Sequence, residues 1–391
     1  MRKYQKLAII FLFSTFYFLF SDSVSAASLY FAPQSQTIYQ DESFVVEVRL
    51  DTEDEEINVV EVGLTFPANL LKAVDFNKGN SILTLWPKEA IIREEEITFL
   101  GGIPNGFKGE GLLGKIIFWG KEIGEAKIIF KEDSKVLLND GKGTAAELNF
   151  SEGNYEIIEK PEGLPQISSE SHPDQNKWYK SKPLALYWEL KEGVEYSYQL
   201  SFDPLSEPDE TSDRPELKQG VAFWMGAMEY DLKGEEDAIY YFSLRQKLPT
   251  EDWSGTVRFR AMIDATPPEE FTPEVSQDST VFEGKYFLSF STTDKTSGVD
   301  HYEILETRNQ KIENGTWKVG GSPYLLGDQS LQSKILVKAV DKAGNERIAE
   351  ILPLKKSFPY WIIILISIGI GVIWWLIRAM KRKAKNVKTK I

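Results

Sequence analysis

Short segments in which apolar and polar residues alternate fill most of the chain, and this period-two pattern constrains the fold more than any other feature. Residues 44–50, for example, read Phe-Val-Val-Glu-Val-Arg-Leu, and every second side chain is apolar. Such alternation is typical of half-buried strands, and clusters of Gly, Pro, Asn and Asp separate the segments. No long amphipathic helix lies among them. The predicted strands are 44–50, 59–66, 97–100, 112–119, 126–130, 145–150, 155–158, 184–190, 196–202, 238–245 and 256–263.

Proline-containing segments divide this pattern into three units. The stretch 160–173 and the sequence Ala-Thr-Pro-Pro at 265–268 interrupt the strands, because proline lacks the N–H that a central strand needs. The two later units share a short similar segment, at 193–198 and 298–303, and each has the size of an Ig-like or fibronectin III-like sandwich. The predicted boundaries are a first domain at 28–158, a linker at 159–175, a second domain at 176–266 and a third at 267–354.

The first 26 residues have the features of a secretory signal peptide. Basic residues precede an apolar run over 7–20, and Val24, Ser25 and Ala26 are small enough for a signal peptidase. Cleavage is therefore predicted after Ala26, and an uncleaved N-terminal anchor is the alternative.

An uncharged apolar segment at 360–377 precedes a basic tail at 378–391. Its length and the aromatic residues at both ends predict a transmembrane helix. Because basic segments favour the cytoplasmic side of a membrane, the tail is predicted to be cytoplasmic and the preceding domains extracellular. The predicted location is the cell membrane, with a single pass.

The charge and the residue types exclude several classes of protein. The formal net charge is −14, whereas a general nucleic-acid binder needs a basic surface to displace counterions from phosphates. The chain has no cysteine and only two histidines, His172 and His301, which excludes disulfide scaffolds, thiol catalysis and zinc fingers. Nucleic acid is therefore not a predicted partner.

No catalytic motif or metal-ligand pattern is visible, so we expect the chain not to be an enzyme. Neither histidine has a nearby partner by spacing. The acidic run at 51–56 could bind calcium, but it lacks the alternation and the glycine of a calcium loop, and a solvated loop is the expectation. The segment 139–143 could be a cation or ligand loop, but a turn whose glycines adopt positive φ is the expectation. No metal or other cofactor is predicted, since no motif supports calcium.

Three aromatic residues of the first domain, Trp86, Phe107 and Trp119, are the candidate ligand-binding residues. Aromatic faces that are exposed can stack on sugar rings, whereas most aromatic residues of a small sandwich belong to its core. Both interpretations remain open for each of the three.

The first domain resembles a bacterial cohesin domain over about a third of the chain, from Ser28 to Ile158. The segments that carry the resemblance, in order, are 44–50, 57–66 with 70–74, 97–102, 111–118 and 136–143. The resemblance implies a nine-stranded jelly-roll sandwich, related in fold to carbohydrate-binding modules, that binds a dockerin module. The chain departs from a cellulosomal scaffoldin in having one such domain and no recognisable dockerin. The sequence Asp-Lys-Ala-Gly-Asn at 341–345 resembles the last strand and turn of bacterial Ig-like repeats.

The predicted fold class is all-β: an N-terminal jelly-roll, cohesin-like sandwich plus two Ig-like β-sandwiches, with one C-terminal transmembrane helix. The predicted function is that of a membrane-anchored cell-surface binding protein, with the cohesin-like domain at the far end of a stalk of two Ig-like domains. Its predicted partner is a dockerin-like protein module or an extracellular polysaccharide, with a link to polysaccharide catabolism. The alternatives are a carbohydrate-binding surface protein and a structural adhesin or envelope spacer without a specific ligand.

Overall fold

The computed structural model describes residues 26–219, 224–308, 316–353 and 360–388. Within these ranges the chain forms 26 β-strands, which build three β-sandwiches, and one long helix. The predicted signal peptide spans residues 1–26. Residues 1–25 lie outside the described residues, and only Ala26 is described. The signal peptide therefore stays a prediction.

The first domain is a sandwich of a five-stranded and a seven-stranded sheet. Its strands are β1 (Ala27–Ala32), β2 (Ser35–Tyr39), β3 (Ser43–Asp51), β4 (Ile57–Thr65), β5 (Leu71–Asn77), β6 (Leu85–Ile92), β7 (Glu96–Phe107), β8 (Glu110–Gly120), β9 (Gly124–Phe130), β10 (Lys135–Leu138), β11 (Leu148–Phe150) and β12 (Gly153–Ile158). The five-stranded sheet has the order β11-β1-β3-β8-β5. The seven-stranded sheet has the order β2-β12-β9-β4-β7-β6, with β10 paired to β4.

The alternating residues build the core between these two sheets. In β9, Ala126, Ile128 and Phe130 are buried, whereas Glu125 and Lys127 are exposed. Twelve strands form where the family resemblance implies nine, partly because the chain passes from one sheet to the other between β1 and β2. There β1 pairs with β3, while β2 pairs in parallel with β12. Proline at position 33 has no N–H with which to extend the β1 ladder.

Two smaller sandwiches follow, each made of one four-stranded and one three-stranded sheet. The second domain contains β13 (Trp178–Tyr179), β14 (Pro183–Glu189), β15 (Glu195–Ser201), β16 (Glu216–Gln219), β17 (Trp224–Asp231), β18 (Ala238–Lys247) and β19 (Val257–Ile263). The third domain contains β20 (Glu274–Gln277), β21 (Tyr286–Ser289), β22 (Val299–Thr307), β23 (Lys318–Val319), β24 (Tyr324–Leu325), β25 (Lys334–Asp341) and β26 (Glu346–Ile351). Each domain has its own apolar core.

The segment 159–175, which the sequence predicts to be a linker, contributes to the second domain. Leu164 and Ile167 pack against the core of that domain, and Ser168 forms a β-bridge with Tyr187. Prolines and serines in this segment prevent a regular strand, yet its few apolar side chains still find a place in the core. The second sandwich therefore begins within the predicted linker.

The last element is the helix α1 (Tyr360–Lys388), which runs without a break from the apolar segment into the basic tail. No helix in the described part of the chain is long and apolar enough to cross a membrane. The predicted transmembrane helix at 360–377 is therefore wrong, as are the fold class that includes it and the single-pass location with extracellular domains and a cytoplasmic tail.

The first domain packs against both of the others instead of standing at the end of a stalk. Val45 of β3 and Ile117 of β8 are buried against Trp178 and Met262 of the second domain. Ala343 of the third domain packs against the same four residues. We call these five residues the junction cluster. It covers part of the outer face of the five-stranded sheet, which would otherwise face solvent.

Polar contacts reinforce the junction cluster. Arg260 of β19 is 3% exposed, and its guanidinium donates to Ser43 Oγ at 3.0 Å and to Asn176 Oδ1 at 2.7 Å. Burial lowers the pKa of Arg260, and these hydrogen bonds offset part of the cost of removing the charge from water. Between the first and third domains, Lys342 Nζ contacts both carboxylate oxygens of Asp75 at 2.5 Å.

Because the chain has no cysteine, introduced cysteines test this arrangement cleanly. Ser43 Oγ and Asn176 Oδ1 contact the same nitrogen of Arg260, so a short bismaleimide should join Ser43→Cys and Asn176→Cys within one chain. Peptide mass spectrometry of the monomeric product should identify the cross-link. In a control, Ile129→Cys replaces Ser43→Cys, because Ile129 lies on the outer face of the other sheet. Cross-linking of the control pair but not of the test pair would contradict the packing.

Candidate functional site

Two of the predicted ligand-binding aromatic residues pack against the core of the first domain. The ring of Trp86 lies 5.9 Å from that of Phe76 and 5.9 Å from that of Phe99, measured between centroids. Phe107 is the last residue of β7, and it too is half-buried against the core. Packing on one side leaves only part of each ring free, so both residues contribute to stability whatever else they bind.

Trp119 is placed differently, because it lines a cleft between the first and second domains. The cleft has a volume of about 780 Å³, and neither Trp86 nor Phe107 lines it. Its other lining residues include Tyr39 of the first domain and Arg258 and Glu207 of the second. Arg258 Nη2 and Glu207 Oε1 form an ion pair of 2.6 Å there. An aromatic ring beside charged and hydroxyl groups offers both stacking and hydrogen bonding to a polar ligand.

The outer face of the seven-stranded sheet carries a second candidate surface. The strand registers align Leu137, Val59, Gly102 and Leu85 in one row across β10, β4, β7 and β6. Leu85 is 43% exposed, and Leu137 and Val59 are partly exposed. The adjacent row, two residues further along β4, consists of Lys135, Glu61, Leu100 and Lys88. We call these two rows the open face.

The open face has the composition of a protein interface and not of a sugar-binding surface. One of its rows has only aliphatic side chains beside Gly102, and the two lysines and the glutamate of the adjacent row are exposed. Protein interfaces combine an apolar centre with a polar rim. Sugar rings are bound by aromatic faces, and neither row of the open face contains an aromatic residue.

The histidines are engaged in local contacts. His172 is buried, its Nδ1 lies 2.8 Å from Ser171 Oγ, and its Nε2 lies 3.0 Å from the Ser181 carbonyl oxygen. Burial lowers the pKa of His172, which favours the neutral ring near pH 7. His301 Nδ1 lies 2.7 Å from Asp300 Oδ2, at a partly exposed position. Neither arrangement places a catalytic partner beside a cavity.

The two loops considered as cation sites from the sequence have simpler roles. The acidic run at 51–56 starts at the last residue of β3 and leads to β4, and Asp54 pairs with Lys108 at 3.3 Å. In the segment 139–143, Asp140 accepts a hydrogen bond from the Lys142 N–H at 2.8 Å, and Gly141 and Gly143 have φ angles of 70° and 75°. The predicted turn with positive-φ glycines is confirmed.

Three aspartates meet where the second domain joins the third. Asp264 follows β19 directly, Asp294 lies between β21 and β22, and Asp341 ends β25. One carboxylate oxygen from each lies within 4.8 Å of the other two. The three residues are 0%, 6% and 2% exposed. We call them the aspartate cluster; among the described residues, it is the group that could hold a metal ion.

Local hydrogen bonds satisfy the aspartate cluster only in part. The donors are the N–H groups of Thr266 and Ser297 for Asp264, the N–H groups of Thr296 and Gly298 for Asp294, and the N–H and Nδ2 of Asn345 for Asp341. Burial nevertheless raises the pKa of all three acids, that of Asp264 to about 6. Burial therefore outweighs these donors, and the negative charge at the junction is incompletely compensated.

Sequence reasoning missed the aspartate cluster because its members are far apart in the chain. Asp341 belongs to the segment that resembles the end of an Ig-like repeat, and Asp264 directly precedes the sequence Ala-Thr-Pro-Pro that marks the predicted domain boundary. An aspartate at the edge of each domain was the available signal. The sequence does not show that the two edges meet.

No protein-family model and no curated protein matches the chain. Among solved structures, it is similar to a non-cellulosomal cohesin from Archaeoglobus fulgidus, with 15% identity, 34% of this chain and 91% of that chain covered, and a TM-score of 0.29. A cohesin module from a family 33 glycoside hydrolase of Clostridium perfringens has 15% identity, covers 35% of this chain and 98% of its own, and has a TM-score of 0.29. The third ScaB cohesin of R. flavefaciens, solved in complex with a group 1 dockerin, has 12% identity, coverage of 35% and 99%, and a TM-score of 0.29. Cohesin modules are thus among the structures to which about a third of this chain is similar.

The two tryptophans should differ in their effect on stability. Trp86→Ala removes a ring that packs on Phe76 and Phe99, so the free energy of unfolding of the first domain should fall by about 2–3 kcal/mol. Trp119→Ala opens a surface cleft, and its effect should stay below about 1 kcal/mol. Urea unfolding of the full chain, followed by fluorescence, measures both values. Equal losses would show that Trp119 is as much a core residue as Trp86.

Proposed function

We propose that this chain is a non-enzymatic binding protein whose cohesin-like first domain recognises a protein module through the open face. The observation that carries the proposal is the aliphatic row of Leu137, Val59 and Leu85, which is at least partly exposed and lies beside a row that carries both positive and negative charges. A dockerin-like module is the partner class, because the sequence resembles that of cohesin domains. The second and third domains would then hold the first domain through its other sheet.

The packing of the three domains supports this choice of face. Val45 and Ile117, two outward apolar side chains of the five-stranded sheet, are buried in the junction cluster. A partner module of ordinary interface size could not reach those residues without separating the domains. The open face requires no such separation, since Leu85, Lys88, Glu61 and Lys135 are exposed in the packed arrangement.

A substitution on the open face should abolish partner binding without unfolding the domain. Leu85→Lys places a charge at the exposed end of the aliphatic row, and affinity for a dockerin module should fall at least about tenfold, since one desolvated charge costs several kcal/mol at an interface. The measurement is surface plasmon resonance of the full chain against an immobilised panel of dockerin modules.

Ile129→Lys is the matched control, because Ile129 has the same 43% exposure as Leu85 and faces outward from the same sheet, beyond the two rows. Binding retained by this control and lost in Leu85→Lys would support the open face. A dockerin that binds both variants like the unmodified chain, or no dockerin bound at all, would contradict the proposal.

A second candidate function is polysaccharide binding in the cleft, and the position of Trp119 is the observation that favours it. Isothermal titration of the full chain with soluble β-glucan and xylan tests it. Trp119→Ala should abolish any heat of binding, because the stacking surface is lost, whereas Trp86→Ala should preserve it at temperatures where that variant is folded. Binding that survives Trp119→Ala would exclude the cleft as the sugar site.

A further inference from the structure

We propose that Asp264, Asp294 and Asp341 bind one divalent cation, Ca²⁺ by the chemistry of their ligands, at the junction of the second and third domains. The site is independent of the open face and of the cleft. It rests on the geometry of the three carboxylates, on the charge that they bring into the interior, and on an unpartnered hydroxyl beside them.

The geometry of the aspartate cluster suits a calcium ion. Ca²⁺ binds oxygen at about 2.3–2.6 Å, so two oxygens on opposite sides of the ion lie about 5 Å apart. The carboxylate oxygens of the aspartate cluster lie within 4.8 Å of one another. All three side chains offer oxygen ligands, which hard cations prefer, and soft or borderline metals favour nitrogen and sulfur.

The charge of the aspartate cluster has no counterpart among the side chains. In the described part of the chain, none of the three acids forms an ion pair with a lysine or an arginine. Lys342 follows Asp341 in the sequence, but its side chain contacts the first domain. Its Nζ contacts Asp75 and the Phe76 carbonyl oxygen, the latter at 2.8 Å. Buried carboxylates without a cation are costly, so a proton or a metal ion must neutralise them.

Ser297 provides the independent observation that points to a metal ion. Its side chain is 0% exposed, and among the residues that the structure describes its hydroxyl has no hydrogen-bond partner. Ser297 lies directly beside the aspartate cluster, because its N–H donates to Asp264 Oδ2 at 3.0 Å. A buried hydroxyl without a partner is destabilising. A cation held by the three carboxylates would take the Ser297 hydroxyl oxygen as a further ligand.

A cation at this point would connect all three domains. Asp264 belongs to the second domain, and Asp294 and Asp341 belong to the third. The loop that carries Ser297 touches the first domain, because Asn77 Nδ2 donates to the Ser297 carbonyl oxygen. A Cβ added to Gly79 of the first domain would come within 1.9 Å of the Thr296 carbonyl oxygen, so the two loops are in direct contact. Loss of the cation should therefore loosen the whole junction.

Calcium binding by the full chain tests the proposal. After treatment with EDTA and its removal, equilibrium dialysis against CaCl2 should show one tightly bound Ca²⁺ per chain. The thermal unfolding midpoint should rise by roughly 5 °C when Ca²⁺ exceeds its dissociation constant a hundredfold. Equal concentrations of MgCl2 should raise the midpoint less, because Mg²⁺ needs shorter bonds and a stricter geometry.

Two variants and one control make the result specific. Asp294→Asn should lose both the bound ion and the rise in midpoint, and Ser297→Ala, which removes no charge, should weaken calcium binding at least about threefold with the fold intact. Asp54→Asn, in the exposed acidic run, should bind Ca²⁺ like the unmodified chain. The proposal is overturned if the unmodified chain binds no Ca²⁺, if binding is unchanged in both Asp294→Asn and Ser297→Ala, or if Asp54→Asn abolishes it.

Discussion

Burial of the outer face of the five-stranded sheet is the interaction on which the rest of the structure depends. A two-sheet sandwich has two outward faces. An apolar residue on either face stabilises the fold only if another part of the protein covers it and removes it from water. In the first domain, Val45 and Ile117 are covered by Trp178 and Met262 of the second domain. This contact orients the first domain, leaves the seven-stranded sheet as the accessible face, and brings the loops of all three domains to one place.

The same contact concentrates charge in the interior. Arg260 enters the junction with hydrogen bonds to Ser43 and Asn176, so its charge is supported from both sides of the boundary. The aspartate cluster lies at the neighbouring boundary, where the described residues supply backbone and amide donors but no basic side chain. In a chain whose net charge is −14, three buried acids at a domain junction link the packing of the domains to whatever neutralises those acids.

The sequence predicts the strands well where alternation is regular, and the domain packing poorly. Strands β3 and β9 fall where apolar residues recur at every second position. The irregular edge strand β6 has register shifts and mostly exposed residues, so no periodic signal marks it. Val45 between Phe44 and Val46, and Ile117 between Ile116 and Phe118, form short continuous apolar runs, which indicate strands buried on both faces. That signal shows that something covers the sheet, but it does not say which part of the chain does so.

The candidate sites divide in the same way. Trp119 could be selected from the sequence as an aromatic residue, but only the packing of two domains gives it a cleft. The open face depends on registers between β10, β4, β7 and β6, which single-strand patterns do not determine. In the C-terminal segment, composition suggests a division that the backbone does not have. The apolar residues end at residue 377 and basic residues follow, but the backbone continues as one helix to Lys388.

Small-angle X-ray scattering of the purified full chain measures the arrangement of the three domains directly. The packing of the first domain against both others predicts a single compact body, and a scattering curve calculated from that arrangement should fit the data. A curve that requires the three sandwiches to lie in an extended row would contradict the account, because Val45 and Ile117 would then be exposed and the five-stranded sheet would be free.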